Sequence, residues 1–250
     1  MKNLLFLAHR IPYPPNKGDK IRSFHFLKHL CEQYNVYLGA FIDDPNDWQY
    51  TEKLDRLCAE TYFLGLNPFF AKVKSVQGLL TGQALSLPYY SENKMQAWVN
   101  KIIKNSNIDQ VLIFSSVMGQ YIKPEYSVDM AVDFVDVDSD KWQQYADKKQ
   151  GIAKWIYQRE SKNLLKYEKL IAEQSKLSFF VSEQEAALFK SLAPELDSKI
   201  KFINNGVDTD FFSPSHQLES PFPVDQDAIV FTGAMDYWAN VDAVKWFALN

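Results

Sequence analysis

The feature that most constrains this chain is an alternation of lengths. Short apolar runs recur between longer amphipathic stretches: Asn3–Ala8, Val36–Ile42, a weaker Tyr62–Leu64, Val111–Ser115, Met130–Val135, Leu177–Ser182 and Ile200–Asn204. Near-continuous apolar runs of this length are strands buried on both faces, and the residues between them are long enough for crossover helices. The spacing predicts an α/β fold over residues 1–213, a mainly parallel sheet with helices on both faces. A Pro-rich loop, His9–Lys20, leads into the first helix, whose inner face is predicted to carry Ile21, Phe24, Leu27 and Cys31. Residues 67–107 read as helical, with a break at Leu87-Pro88, because a residue before proline disfavours the helical region.

After Gly206 the texture changes. Pro214, Pro221 and Pro223 fall close together among polar residues, so 214–227 reads as a linker. Beyond it a strand is expected at Ala228–Thr232, then Gly233, then a helix with Asn240 as its N-cap. That helix is still apolar at Val244, Phe247 and Ala248 where the sequence stops, so 228–250 is expected to be the opening fragment of a second domain. One strand and one helix do not cover their own apolar side chains. They are expected to dock on the first domain or to pair with a second copy as a homo-oligomer.

Charge narrows the partners. With 27 Lys and Arg against 31 Asp and Glu the net charge is −4, which lacks the basic excess of a nucleic-acid binder. Residues 141–176 depart from this: nine Lys or Arg against four Asp or Glu, together with Trp142, Trp155, Tyr157 and Tyr167. That composition suits peripheral contact with an anionic membrane surface, and equally a solvated helix with its aromatics turned into a core. No run of ~18 apolar residues occurs to span a bilayer. The apolar start is too brief for a signal peptide. Cys31 and Cys58 have no paired spacing, which points to reduced thiols in a cytoplasmic protein rather than a disulfide or a zinc site.

In an open parallel sheet, ligands bind where strands end and helices begin. Two segments stand there. The loop Pro12–Lys20 offers Gly18, where backbone can approach a ligand, with Lys17, Lys20 and Arg22 supplying positive charge. It has neither G-x-G-x-x-G nor a Walker loop, so a dinucleotide or ATP fingerprint is absent. The second segment carries Asp133, Asp136, Asp138 and Asp140. Carboxylates so spaced can hold a divalent ion, orient a sugar hydroxyl or act in acid–base chemistry, and helix capping by Asp138 or Ser139 accounts for only one of them. His25 and His29 lack the intervening Glu of a zinc protease, and no G-x-S-x-G elbow exists. His9, closing the first strand, is better placed, with a structural role as its simplest reading.

At "NNGVDTDFFSP", residues 204–214, the sequence resembles the interdomain junction of family 4 glycosyltransferases, which have the GT-B fold of two facing Rossmann-like domains. Other blocks agree in order along nearly the whole chain. "PYPPNKGDKIRSFHFLKHL" is similar to the N-terminal acceptor-side loop and helix, and "FTGAMDYWANVDAVKWF" to the first strand and helix of the donor domain. "DFVDVDSDKWQQYA" and "FFVSEQEAALF" resemble segments of sugar transferases from exopolysaccharide and PEP-CTERM-type systems. The sequence also departs from the family pattern. Only Gly18 stands where two adjacent glycines are common, Asp136 and Asp138 occupy the neighbourhood of a frequent histidine, and Ala234 and Ala239 replace a frequent Arg and Pro. The family's paired-glutamate donor motif would fall beyond Asn250.

The resemblance implies a retaining transferase that moves a sugar from a nucleotide diphosphate sugar to a glycan or lipid-linked acceptor, with no cofactor and no bound metal. It implies that Gly18, with Lys17 and Arg22 nearby, faces the phosphates or the acceptor, and that Asp136 and Asp138 face the reacting sugar. Ser182, Glu183, Asn205 and Gly206 would line the cleft, with Gly233 on the donor side. With the donor domain incomplete, residues 1–250 by themselves are expected to be inactive. A non-catalytic sugar-nucleotide or glycan binding module and a GT-B sugar-nucleotide epimerase are the alternatives.

Overall fold

The structure, a computed structural model, describes residues 1–213, 215–216, 219, 221–223, 227–233, 235 and 238–249. It divides into two compact units, Met1–Asn205 and Gly206–Asn250. In the first, seven strands form one sheet: β1 (Lys2–Ala8), β2 (Tyr34–Ile42), β3 (Glu60–Gly65), β4 (Gln110–Phe114), β5 (Asp129–Val135), β6 (Leu177–Phe180) and β7 (Ile200–Phe202). Their order is β3-β2-β1-β4-β5-β6-β7, and every neighbouring pair is parallel. The chain builds outward from β1 to β3, then returns to the other side of β1 to lay down β4. Strand order therefore reverses between β1 and β4, the switch point of a doubly wound sheet. The α/β class and the Rossmann-like parallel sheet expected from the alternation are present.

The helices are α1 (Gly18–Cys31), α2 (Thr51–Asp55), α3 (Pro68–Ser75), α4 (Gln77–Thr81), α5 (Ser86–Tyr89), α6 (Asn93–Asn105), α7 (Asp138–Asp147), α8 (Gly151–Gln174) and α9 (Glu183–Leu192). Alternate residues of β1 feed two cores. Leu4, Phe6 and Ala8 pack with Leu27 of α1 and Leu54 of α2. Leu5 and Leu7 join the larger cluster under α6, α8 and α9. With period-two side chains and both faces covered, β1 is buried from Leu4 to Ala8. Gly39 of β2 lies where a Cβ would come within 2.7 Å of Trp98 and 2.8 Å of Leu7, so only glycine lets α6 approach this strand. Cys31 and Cys58 are free thiols that share a hydrogen bond.

Two local expectations are corrected. Leu87-Pro88 does not interrupt a helix but lies within α5, where proline occupies the first turn and its missing N–H is not needed. The breaks fall instead at Gly82, in the left-handed region at φ 74°, and between Tyr89 and Asn93. The inner face of α1 is rotated: Lys20, Arg22, Ser23 and Leu27 are buried, while Ile21 is exposed and Phe24 and Cys31 are half-buried. Ionic partners beneath the helix, Asp47 for Lys20 and Asp133 for Arg22, set this phase.

In the second unit the strand expected at Ala228–Thr232 is not formed, because no ladder partner stands beside it among the described residues. Ile229, Val230 and Phe231 are exposed. Helix α10 (Trp238–Leu249) starts two residues before the expected cap, and it leaves Trp246 and Phe247 exposed. Asp208 closes a local turn by accepting from the N–H groups of Asp210 and Phe211. Pro214, Ala234 and part of the expected linker lie outside the described residues.

Candidate active site

Because all strands run one way, their carboxyl ends form a single edge, and the loops leaving it carry most of the charged residues singled out above. At the β1 exit, Arg10 bridges two carboxylates: Nη1 lies 2.7 Å from Asp19 in the first turn of α1, and Nη2 lies 2.8 Å from Asp43 beyond β2. His9 places Nε2 3.6 Å from the same Asp19 oxygen. Its ring stacks on Phe114 at the end of β4 and meets Tyr90 edge-on, while Nδ1 is buried without a hydrogen-bond partner. Burial opposes the Asp19 charge, but the neighbouring His9 ring and the Arg10 guanidinium outweigh it and hold the carboxyl well below the ordinary range.

One step inward is a buried ion pair. Arg22 Nε donates to Asp133 Oδ2 at 2.9 Å, and Nη1 donates to the Ile203 carbonyl at 2.7 Å and to Asn205 Oδ1 at 3.0 Å. Both charged side chains are almost wholly enclosed. Burial raises the Asp133 carboxyl above its usual value, against the pull of Arg22. The other carboxylate oxygen accepts from Val135 N–H at 3.0 Å, and the Asp133 carbonyl accepts from Ser115 N–H at 2.8 Å. Those two residues close β5 and β4 with φ of 68° and 73°. A β-branched valine there is a strained backbone position, coincident with an irregularity in the β5–β6 register. Asp133 thus fixes two strained strand ends beside the switch point.

Asp136 and Asp138 share a cation. Lys141 Nζ is 2.6 Å from Asp136 and 3.2 Å from Asp138, on the first turns of α7. Burial works against the Lys141 charge, yet the two carboxylates lift its pKa well above the ordinary value, so the ammonium is permanent. The sequence suggested a cluster of bare carboxylates, and the structure instead gives a half-neutralised, partly exposed pair. Among the described residues no group of three or more His, Cys, Asp or Glu gathers to hold a metal ion. Burial raises the Tyr90 phenol, against the pull of the nearby Arg10 charge.

The α7 start is held from behind. Glu168 of α8 accepts from Ser139 N–H at 3.2 Å and from its hydroxyl at 2.5 Å. Burial pushes this carboxyl up to about 8, against the Ser139 bonds and with the Asp138 charge adding. Glu185 of α9 accepts from Val137 N–H at 2.7 Å.

The remaining expected residues divide. Lys17 precedes α1 and is exposed, and Gly18 opens the helix with nothing within 4 Å of where a Cβ would stand, leaving room for a ligand. Arg22 is turned into the interior and fixes the loop after β7, so it does not face the edge as a free cation. Ser182 is the N-cap of α9, accepting from Glu185 N–H, and Glu183 is exposed beside it. Asn205 ends the first unit on Arg22. Gly206 and Gly233 belong to the second unit, where a Cβ on Gly233 would come within 2.9 Å of Asn240 and Phe231.

Sequence reasoning passed over Arg10, Asp19, Asp43, Tyr90 and Glu168. Only Arg10 and Asp19 carried a local signal, a charge directly after an apolar strand and an acid between Gly18 and Lys20. No protein-family model matches the chain, and no curated protein matches it. Among solved structures, the Candida albicans trehalose-6-phosphate phosphatase N-terminal domain aligns at 13% identity and a TM-score of 0.49, covering 84% of this chain and 50% of that one. Glycyrrhiza uralensis UGT73P12, complexed with glycyrrhetinic acid 3-O-monoglucuronide, aligns at 12% identity and 0.47, covering 82% of this chain and 49% of its own. The chain spans about half the length of the structures it matches. Likeness at this level carries no functional information.

Chemically, the edge offers two devices. The Asp136–Lys141–Asp138 group can accept hydrogen bonds from hydroxyls with half of its carboxylate charge already neutralised. His9 is clamped between Phe114 and Tyr90, with Nε2 toward the ionised Asp19 and Nδ1 buried without a hydrogen-bond partner.

Proposed function

We propose that residues 1–213 are the acceptor-side domain of a GT-B glycosyltransferase of the family 4 type. Residues 214–227 are then its linker and 228–250 the start of its donor domain. The enzyme moves a sugar, with retention, from a nucleotide diphosphate sugar to a glycan or lipid-linked acceptor in exopolysaccharide-type synthesis. The observation that supports this best is the switch point between β1 and β4. In doubly wound sheets that crevice binds the ligand; here His9 and Arg10 follow β1, Tyr90 meets the His9 ring, and Asp136 and Asp138 follow β5, the neighbour of β4. The junction motif at 204–214 supports it independently.

On this reading Asp136 and Asp138 hold hydroxyls of the reacting sugar, with Lys141 tempering their charge. Lys17 and the open backbone at Gly18 approach the diphosphate or the acceptor, and stabilisation of a departing diphosphate is electrostatic. Glu183 and the Ser182-capped start of α9 border the same edge, and Gly206 and Gly233 serve the donor side. Arg22 is a positioning residue that holds Asn205 through its guanidinium.

The test is titration of the intact gene product with nucleoside diphosphate sugars, followed by product analysis. Asp138→Asn is expected to lower turnover by about a hundredfold while shifting unfolding free energy by less than ~0.5 kcal/mol. Parallel losses in both would give Asp138 a structural role only, at the first turn of α7. A free sugar-nucleotide isomer formed without acceptor would favour the epimerase, and binding without product would favour a binding module.

A further inference from the structure

Helices α3 and α4 do something no core requires. Phe69, Phe70, Val73, Val76 and Leu80 are all exposed, Leu80 to 89% and the two phenylalanines to nearly 70%. Only Ala71 and Gly78 of these two helices are buried. A surface holding that much contiguous apolar area marks an interaction site.

The patch continues onto α8. Arg159 donates to the carbonyls of Gly78, at 2.5 Å, and Gln83, at 3.1 Å, while Glu160 accepts from the N–H groups of Leu85 and Ser86. These bonds fix the middle of α8 against the α4–α5 connection. Trp155 and Ile152 precede Arg159 by four and seven residues, so they share its helix face, one and two turns further on. Both are exposed, Trp155 to 58% and Ile152 to 79%. The charge beside this strip is mostly basic, although Lys74 is paired with Glu92 at 2.9 Å. Residues 67–83 contain Lys72 and Lys74 and no acid, and residues 148–162 contain five basic residues against Glu160, which is buried and engaged.

We propose that the exposed strip of α3, α4 and the amino-terminal turns of α8 is a docking surface for an anionic lipid bilayer, with Phe69, Phe70, Leu80 and Trp155 entering the headgroup–acyl boundary. Short helices that project Phe, Leu and Trp above a mostly basic flank match the chemistry of an interfacial anchor. A protein partner of ordinary polarity would call for a rim nearer to charge balance than this one. The proposal does not depend on sugar transfer.

Co-sedimentation of the protein with vesicles tests it directly. Phosphatidylcholine vesicles containing about one-third phosphatidylglycerol should retain the protein at low salt, phosphatidylcholine alone should retain far less, and raised salt should release it. The triple variant Phe69→Ser/Phe70→Ser/Leu80→Ser is expected to bind at least about tenfold more weakly, since three apolar groups no longer leave water. Its unfolding midpoint should stay unchanged, because these side chains contribute nothing to the core. Lys72→Glu/Lys154→Glu should weaken binding and flatten the salt dependence. Equal binding by wild type and the triple variant would overturn the proposal, as would no retention on anionic vesicles. A wild-type dimer that the serine substitutions convert to monomer, without vesicle binding, would replace it with a self-association interface.

Discussion

Two segments of nearly identical character meet opposite fates. Asn3–Ala8 reads Asn-Leu-Leu-Phe-Leu-Ala, and Ala228–Thr232 reads Ala-Ile-Val-Phe-Thr, which by β-propensity is the better strand. The first is the centre of a seven-stranded sheet, paired with β2 on one side and β4 on the other and buried from Leu4 onward. The second has no partner among the described residues, forms no strand, and exposes Ile229, Val230 and Phe231. Strand propensity is therefore a statement about fit to a neighbour. Without a ladder the backbone groups face water and the side chains have nothing to pack against.

The widest separation between these segments should appear on truncating their phenylalanines. Phe6, fully buried, should lose about 3–5 kcal/mol of stability in Phe6→Ala, read from urea unfolding. A loss below about 1 kcal/mol would mean that β1 is not the keystone its position implies.

The second test asks what lets a charged residue occupy a buried strand. Asp133 stands in β5 between Val132 and Phe134, both buried, and Arg22 from α1 neutralises it. Arg22→Met should cost about 3 kcal/mol or more by leaving an unpaired buried carboxylate, and Arg22→Met/Asp133→Leu should recover most of that loss. If the single variant unfolds like wild type, β5 does not depend on its tertiary partner, and the contrast with residues 228–232 weakens.

A third concerns pH. The Glu168 carboxyl titrates near 8 in the folded protein, above its value of about 4.3 in an unfolded chain. Its protonated form favours folding, so this contribution is complete below the unfolded value and is lost as pH rises toward 8, with a slope of at most ~1.4 kcal/mol per pH unit. Glu168→Gln should flatten stability between about pH 5 and 8 and leave the variant more stable than wild type above pH 8. Urea midpoints across that range would show the crossover, and parallel curves would exclude it.

The smallest effect belongs to the unpaired segment. Phe231→Ala should change unfolding free energy by less than ~0.5 kcal/mol, as for exposed side chains generally. A loss comparable to that of Phe6→Ala would show that residues 228–232 are covered by something not visible in this structure.

Much of the fold was legible because burial on both faces leaves a direct trace. Uninterrupted apolar runs such as Val111–Phe114 can be little else than interior parallel strands, and all seven expected in the first unit are present within a few residues of the expected ends. The site was legible only where residues are close in sequence. Asp136 and Asp138 were found by spacing, whereas the ties that define their surroundings, Arg10 to Asp43, Arg22 to Asp133 and Ser139 to Glu168, join positions 33, 111 and 29 residues apart. Lys141, although local, reads as one more charge in a basic stretch until its two carboxylates are seen around it.

By itself, then, the sequence determined the class of architecture and the run of strands, since period, apolar length and parallel connection are properties of the chain taken locally. Tertiary structure alone decided the phase of α1, the partners of each buried charge, the strained ends at Ser115 and Val135, and which of two strand-like segments became a strand. Each of those depends on what stands opposite a residue in space, and pairing energy, burial and desolvation have no value until that neighbour is in place.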